Sequence, residues 1–230
     1  MKVLAAILLL ALVGCSTDGG PESKSPPRVM PARDPAVCRI KSPQTAGSLI
    51  PLGGNVGLTA RHVYRQPVAW IDGKLSGLDE LRRGEGAEVG PGDWVMVRVN
   101  DTDLPVPDEV HLGYEFDAGS KVYICGFPSA TASHSTGEPT LVSAIVTDTP
   151  PWVPKDVRSD EVIFLDIDGN PDLSGMSGGP VVVPDASDTG WRVVGMYLGE
   201  WHSGVWSRYV FRRLPKDVLE VRPKAPLEPR

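Results

Sequence analysis

Apolar residues in this chain recur mostly with period two. Val95, Val97 and Val99 alternate with Trp94, Met96 and Arg98, the spacing of a strand that buries one face. Val122, Ile124 and Phe127 follow a Gly119-Ser120 turn, and Val162 to Ile167 and Gly179 to Val183 are apolar runs bounded by Gly, Asp or Pro. Each predicts a strand. Leu78 to Arg83 (LDELRR) predicts a helix, and Val210 to Leu219 predicts a short helical turn broken by Pro215. The 25 Gly and 23 Pro interrupt the chain too often for long helices. Many short strands predict an all-β domain, a barrel or a sandwich.

Composition narrows the class. Hydrophobic residues at 41% and charged residues at 23% exclude a coiled coil, a collagen or a wholly disordered chain. A formal charge of −6 and a pI near 5.2 set nucleic acid aside as a partner, because phosphate binding needs a basic surface.

The N-terminus sets the expected location. Met1-Lys2 and the apolar run Val3 to Gly14 form a secretory signal, shorter than the roughly 20 residues of a membrane span. Its end, Leu12-Val13-Gly14-Cys15, resembles the lipobox of bacterial lipoproteins. That resemblance implies removal of residues 1–14, acylation of Cys15 and anchoring in the cell envelope, with the membrane as a partner. Residues 15–36 hold five prolines and few large apolar residues, which predicts a solvated tether. Residues 213–230, Pro-rich and charged, predict a loosely attached tail. The folded domain is then 37–212, with too little chain after it for a second module.

Outside the cytoplasm, Cys38 and Cys125 can form a disulfide, worth about 4–5 kcal/mol in the chain-entropy model. Two buried free thiols are the open alternative. No Cys or His cluster has metal-ligand spacing, so no metal site is expected.

Gly175-Met176-Ser177-Gly178-Gly179-Pro180 resembles the G-x-S-G-G-P nucleophile loop of trypsin-like (chymotrypsin-fold) serine peptidases. Gly57-Leu58-Thr59-Ala60-Arg61-His62 resembles the segment carrying that family's catalytic histidine, and Gly47-Ser48-Leu49-Ile50 its G-S-L-I strand. Gly92-Asp93-Trp94-Val95 resembles the strand bearing the triad aspartate. Val122 to Pro128 is similar to a strand and G-(F/Y)-P turn of bacterial HtrA-like members, and Val193 to Gly199 to the strand lining the specificity pocket.

The resemblance implies a two-barrel chymotrypsin-like fold with a boundary near residues 105–120. It implies catalytic His62, Asp93 and Ser177, and an oxyanion hole from the Gly175 and Ser177 N–H groups. It also implies a specificity pocket near Pro171, Asp172, Tyr197, Leu198 and Gly199. The reaction is peptide-bond cleavage in a polypeptide substrate through an acyl-enzyme, without a cofactor.

Three departures matter. Ala46 and Val63 stand where animal members have a disulfide beside the histidine, and Met176 replaces the aspartate that pairs with a newly cut N-terminus. The second implies no zymogen cleavage. Pro171 at the expected pocket floor provides no acid, which points to a small or apolar preference. His111, His134 and His202 are expected at the surface.

Gly175 to Gly179 also fits the G-x-S-x-G elbow of α/β-hydrolases, but that fold needs a helix after the serine and the order Ser, acid, His. Here the order is His, Asp, Ser, and Pro180 to Val183 is a poor helix start. Two non-enzyme readings stand beside the peptidase: a catalytically inactive protease-fold binding module, and a purely structural envelope lipoprotein.

Overall fold

The computed structural model describes residues 30–86, 88–128, 138–153, 159–169, 171–185 and 190–221. The signal peptide, Cys15, most of the tether and His134 lie outside them.

Strands β1 (Cys38–Lys41), β2 (Ala46–Gly53), β3 (Val56–Thr59), β4 (Val68–Ile71), β5 (Lys74–Arg83) and β6 (Val95–Val99) close a barrel in the order β1-β2-β3-β6-β5-β4. The second half contains β7 (Glu109–Val110), β8 (Lys121–Gly126), β9 (Thr140–Thr147), β10 (Val162–Asp166), β11 (Pro180–Pro184), β12 (Trp191–Ser203) and β13 (Trp206–Arg213). Its sheet runs β11-β8-β9-β10-β13-β12-β7, and the β11–β12 pairing joins six of these strands into a ring. Closure removes the open sheet edges on which other chains pair. The short β7, in the connection between the barrels, adds to β12 in parallel.

One apolar cluster fills the first barrel and crosses the seam. Leu49, Leu58, Val95 and Val97 pack in the same cluster as Val182, Val193, Met196, Leu198 and Val210 of the second barrel. A separate cluster, including Ile124, Leu165, Val181 and Phe211, lies wholly in the second barrel. The seam between the barrels is therefore a core, and the groups that bridge it are held by packing.

The predicted helix at Leu78 to Arg83 is instead the end of β5, paired with β6 from Leu78↔Val99 to Arg83↔Val95. A bulge between Glu80 and Arg82 explains the misreading. It changes the alternation of side chains, so Leu78 and Leu81, three residues apart, both reach the core. That spacing mimics a helix face. The helical turn expected at Val210 to Leu219 divides at Pro215: β13 runs to Arg213, and a short helix α1 spans Val218–Val221.

Cys38 and Cys125 are free and buried. Of the two alternatives the structure has the free thiols, with Cys38 in β1 of the first barrel and Cys125 in β8 of the second. Burial makes both thiols poor acids, and pushes Cys125 up to about 12.

Both ends of the folded region extend past residues 37 and 212. Ala36 N–H donates to Asp108 at 2.6 Å, Arg33 pairs with the same carboxylate at 2.5 Å, and Trp191 Nε1–H donates to the Arg33 carbonyl at 2.7 Å. At the other end Leu214 and Val218 are buried in the shared cluster, and Arg82 bridges Asp217 and Glu220 at 3.2 and 2.8 Å. Leu214→Ala is expected to lower the unfolding free energy by about 2–3 kcal/mol in urea denaturation. An unchanged midpoint would assign Leu214 to a detached tail.

Candidate active site

His62 sits in the turn after β3. Val63 and Tyr64 N–H both donate to the Ala60 carbonyl, at 3.0 and 3.2 Å, while the buried Ala60 and Val63 fasten the turn to the core. Asp93 precedes β6 and is fully buried. Its Oδ2 accepts from Val89 N–H at 2.8 Å and lies 2.6 Å from His62 Nδ1, and its Oδ1 accepts from His62 N–H at 3.0 Å. Burial alone would raise this carboxyl, but the hydrogen bond and charge of His62 and the two backbone donors hold it below the ordinary carboxylate range. A carboxylate so placed fixes the imidazole tautomer and stabilises its protonated form.

The loop carrying Asp93 is fastened to the histidine turn by a residue that the motifs did not single out. Arg61 Nη1 donates to the Gly84 carbonyl at 3.1 Å, and Nη2 donates to the Gly86 carbonyl. Its signal is its place beside His62. Gly92 permits the close fold-back, since a Cβ there would lie 1.6 Å from the Glu85 carbonyl oxygen. Val89 has φ of 53°, a strained conformation for a β-branched residue, held by its hydrogen bond to Asp93.

Ser177 lies in the turn before β11. Met176 N–H donates to Leu173 C=O, Gly178 N–H to Tyr197 C=O and Gly179 N–H to Met176 C=O, at 2.8–3.0 Å. By contrast, the Gly175 and Ser177 N–H groups have no protein acceptor among the described residues. Two unpaired donors flanking a serine are what an oxyanion requires. Gly178 has φ of 86°, and a Cβ on it would lie 2.2 Å from the Ser48 carbonyl oxygen, so the loop cannot accept a side chain there.

Ser48 joins this loop to the other barrel. Its N–H donates to Ser177 C=O at 2.8 Å, its Oγ donates to Gly175 C=O at 3.3 Å, and that Oγ accepts from Phe127 N–H at 3.2 Å. Thr59 Oγ1 secures the Ser48 carbonyl at 2.7 Å. Met176 is completely buried.

His62 and Ser177 line one pocket of about 280 Å³. The Ser177 hydroxyl donates to Leu198 C=O at 3.0 Å. Pro171, Asp172, Tyr197, Leu198 and Gly199 line the same pocket, together with Glu200, His202 and Tyr209. Glu200 and Tyr209 were not picked out in sequence, and His202 was expected only at the surface. The Tyr209 hydroxyl donates to Pro171 C=O at 2.8 Å. His202 is exposed at the pocket, while His111 is half-buried with its ring 5.8 Å from Tyr114. Among the described residues no group of three His, Cys, Asp or Glu is placed to hold a metal ion.

A carboxyl held below its ordinary range stabilises the fold above its unfolded pKa of about 3.9, and loses that contribution as pH falls through its folded value. Asp93→Asn is therefore expected to be less stable than wild type near pH 7, with the gap narrowing below about pH 4. Thermal unfolding of both proteins across this range checks it; a gap independent of pH would deny Asp93 its linked proton.

No family model matches the chain, and no curated protein matches it in sequence. Solved structures do match in shape. The scabies mite inactivated protease paralogue S-I1 superposes with a TM-score of 0.60 at 17% identity, covering 81% of this chain and 93% of its own. Neuropsin, a serine protease of mouse brain, gives 0.58 at 13% identity, covering 84% and 96%. The Rv3671c protease of M. tuberculosis gives 0.51 at 18% identity, covering 82% and 84%. The chain has the all-β, two-barrel chymotrypsin-like fold of the serine proteases.

Proposed function

We propose that the protein is a serine endopeptidase tethered to the membrane of a bacterial cell envelope through a lipidated Cys15. The observation that carries the catalytic part is the pairing of the buried Asp93 with His62 beside the pocket of Ser177. Ser177 Oγ attacks the peptide carbonyl carbon while His62 takes its proton. The tetrahedral oxyanion then rests on the Gly175 and Ser177 N–H groups. On collapse, His62 returns the proton to the leaving amine, and an ester to Ser177 remains. Water activated by the same imidazole hydrolyses this ester. Asp93 keeps the ring oriented and compensates its positive charge throughout.

The buried Met176 leaves no carboxylate in the nucleophile loop for a newly cut N-terminus to pair with, which supports activity without zymogen cleavage. The second reading, an inactive protease-fold binding module, is favoured by one observation: the Ser177 hydroxyl is engaged by Leu198 C=O.

A fluorophosphonate probe separates the two. Labelling of the full chain, lost in Ser177→Ala and His62→Ala, is the expected outcome, and Asp93→Asn should lower turnover on the order of 10⁴-fold. No labelling of folded wild type would establish the binding module instead. For the anchor, the full chain expressed in a bacterium is expected in the membrane fraction and Cys15→Ser in the soluble fraction. Equal partitioning would exclude lipidation as the tether.

A further inference from the structure

The interior of the molecule holds a cation that its own neighbours do not satisfy. Arg212, in β13, is only 2% exposed. Its Nε–H donates to the Arg213 carbonyl at 2.9 Å, while Nη2 reaches Glu161 Oε2 only at 3.5 Å, the outer limit of a hydrogen bond. Nη1 is buried and has no hydrogen-bond partner among the described residues. The Trp94 ring, its centroid 5.5 Å from the guanidinium carbon, attracts the charge through its π face, but an indole is a donor only. Burial pushes the guanidinium down to about 10, against the charges of Glu161 and Asp93 that hold it up, so it is still a cation near neutral pH. Buried charges are ordinarily paired.

This guanidinium lines a cavity of about 490 Å³ on the seam between the barrels, where small-molecule sites are frequent. Trp94 comes from the first barrel, Leu112 and Gly113 from the connection, and Asp160, Glu161 and residues 212–217 from the second barrel and its C-terminal extension. None of them lines the pocket beside Ser177. Trp94, Leu112, Leu214 and Pro215 supply apolar wall. Among the charged groups, Arg213 is engaged by the Asp160 and Tyr114 carbonyls and Asp217 pairs with Arg82, while Lys216 is exposed. Asp160 and Glu161 are the acids that remain, so a ligand with one negative charge is accommodated and a dianion is repelled.

Glu161 is a weak and replaceable partner. Its backbone is fixed, because Arg213 N–H donates to its carbonyl at 2.7 Å, but its side chain is 55% exposed and meets Arg212 through one long contact, which contributes little. We propose that the cavity binds a small organic carboxylate with an apolar body, which takes the Arg212 guanidinium in place of Glu161. A carboxylate matches the guanidinium fork and offers an acceptor to each Nη, where Nη1 has none and Nη2 a poor one. The apolar body rests against Trp94, Leu112 and Leu214. This site stands apart from the peptidase reading and does not rest on it.

The test is calorimetric titration of the full-length protein with 3-phenylpropionate, its uncharged isostere 3-phenylpropanamide, and inorganic phosphate. The carboxylate should bind about tenfold or more tightly than either of the others. Glu161→Gln changes an exposed side chain and should tighten the carboxylate about threefold while leaving the amide unchanged. Leu112→Trp, at a half-buried position, fills the apolar end and should abolish binding of both organic probes. Arg212→Met should bring the carboxylate down to the level of the amide. Equal binding of carboxylate and amide, or carboxylate binding that either Glu161→Gln or Leu112→Trp leaves unchanged, would overturn the site, whether or not Arg212→Met folds. Phosphate bound as tightly as the carboxylate would overturn the ligand class.

Discussion

The site depends on one hydrogen-bonded seam between the barrels. Ser48 in β2 donates from its backbone to Ser177 and from its side chain to Gly175, so the Ser177 loop of one barrel is fixed to the barrel that holds His62 and Asp93. Gly47 makes the approach feasible, since a Cβ there would meet Val63 and the Ser177 carbonyl oxygen within 2.8 Å. With Ser48 fully buried, these bonds form away from water, where losing one partner leaves the other unsatisfied. The relative position of His62 and Ser177 is therefore set by backbone geometry more than by long side chains.

Around Asp93 the chain stores strain and offsets it locally. Val89 adopts a left-handed conformation, and the buried carboxylate rewards it with a hydrogen bond. Arg61 ties the same loop to the histidine turn. The carboxylate thus satisfies three donors at once, and each donor limits how the imidazole can move. Such over-determination is what keeps a strained residue in place.

Much of this was legible in the sequence because glycine patterns record backbone constraints directly. The loop at Gly175 to Gly179 contains two residues of positive φ, Gly175 and Gly178, and the G-S of Gly47-Ser48 marks the close approach across the seam. The period-two strands at β6, β8 and β11 read correctly because neighbouring strands pair with them in regular register. The failures fall at irregularities. The bulge in β5 gave Leu78 and Leu81 a helical spacing, and the register shift between Tyr197 and Gly199 in β12 hid which later residues would face the pocket. Glu200 and His202 were missed for that reason. The lengths of tether and tail were overestimated because Pro35, Leu214 and Val218 are buried singly, and composition averages do not register a single anchor.

The shared apolar cluster also makes the two barrels one cooperative unit. Neither could be detached without exposing Met196, Leu198 and Val210 on one side and their partners in the first barrel on the other, a surface prone to aggregate in water. Parting the barrels would forfeit the burial of this shared surface. The cleft between them then exists only while they stay docked, so whatever lowers the cost of exposing the seam also dissolves the pocket.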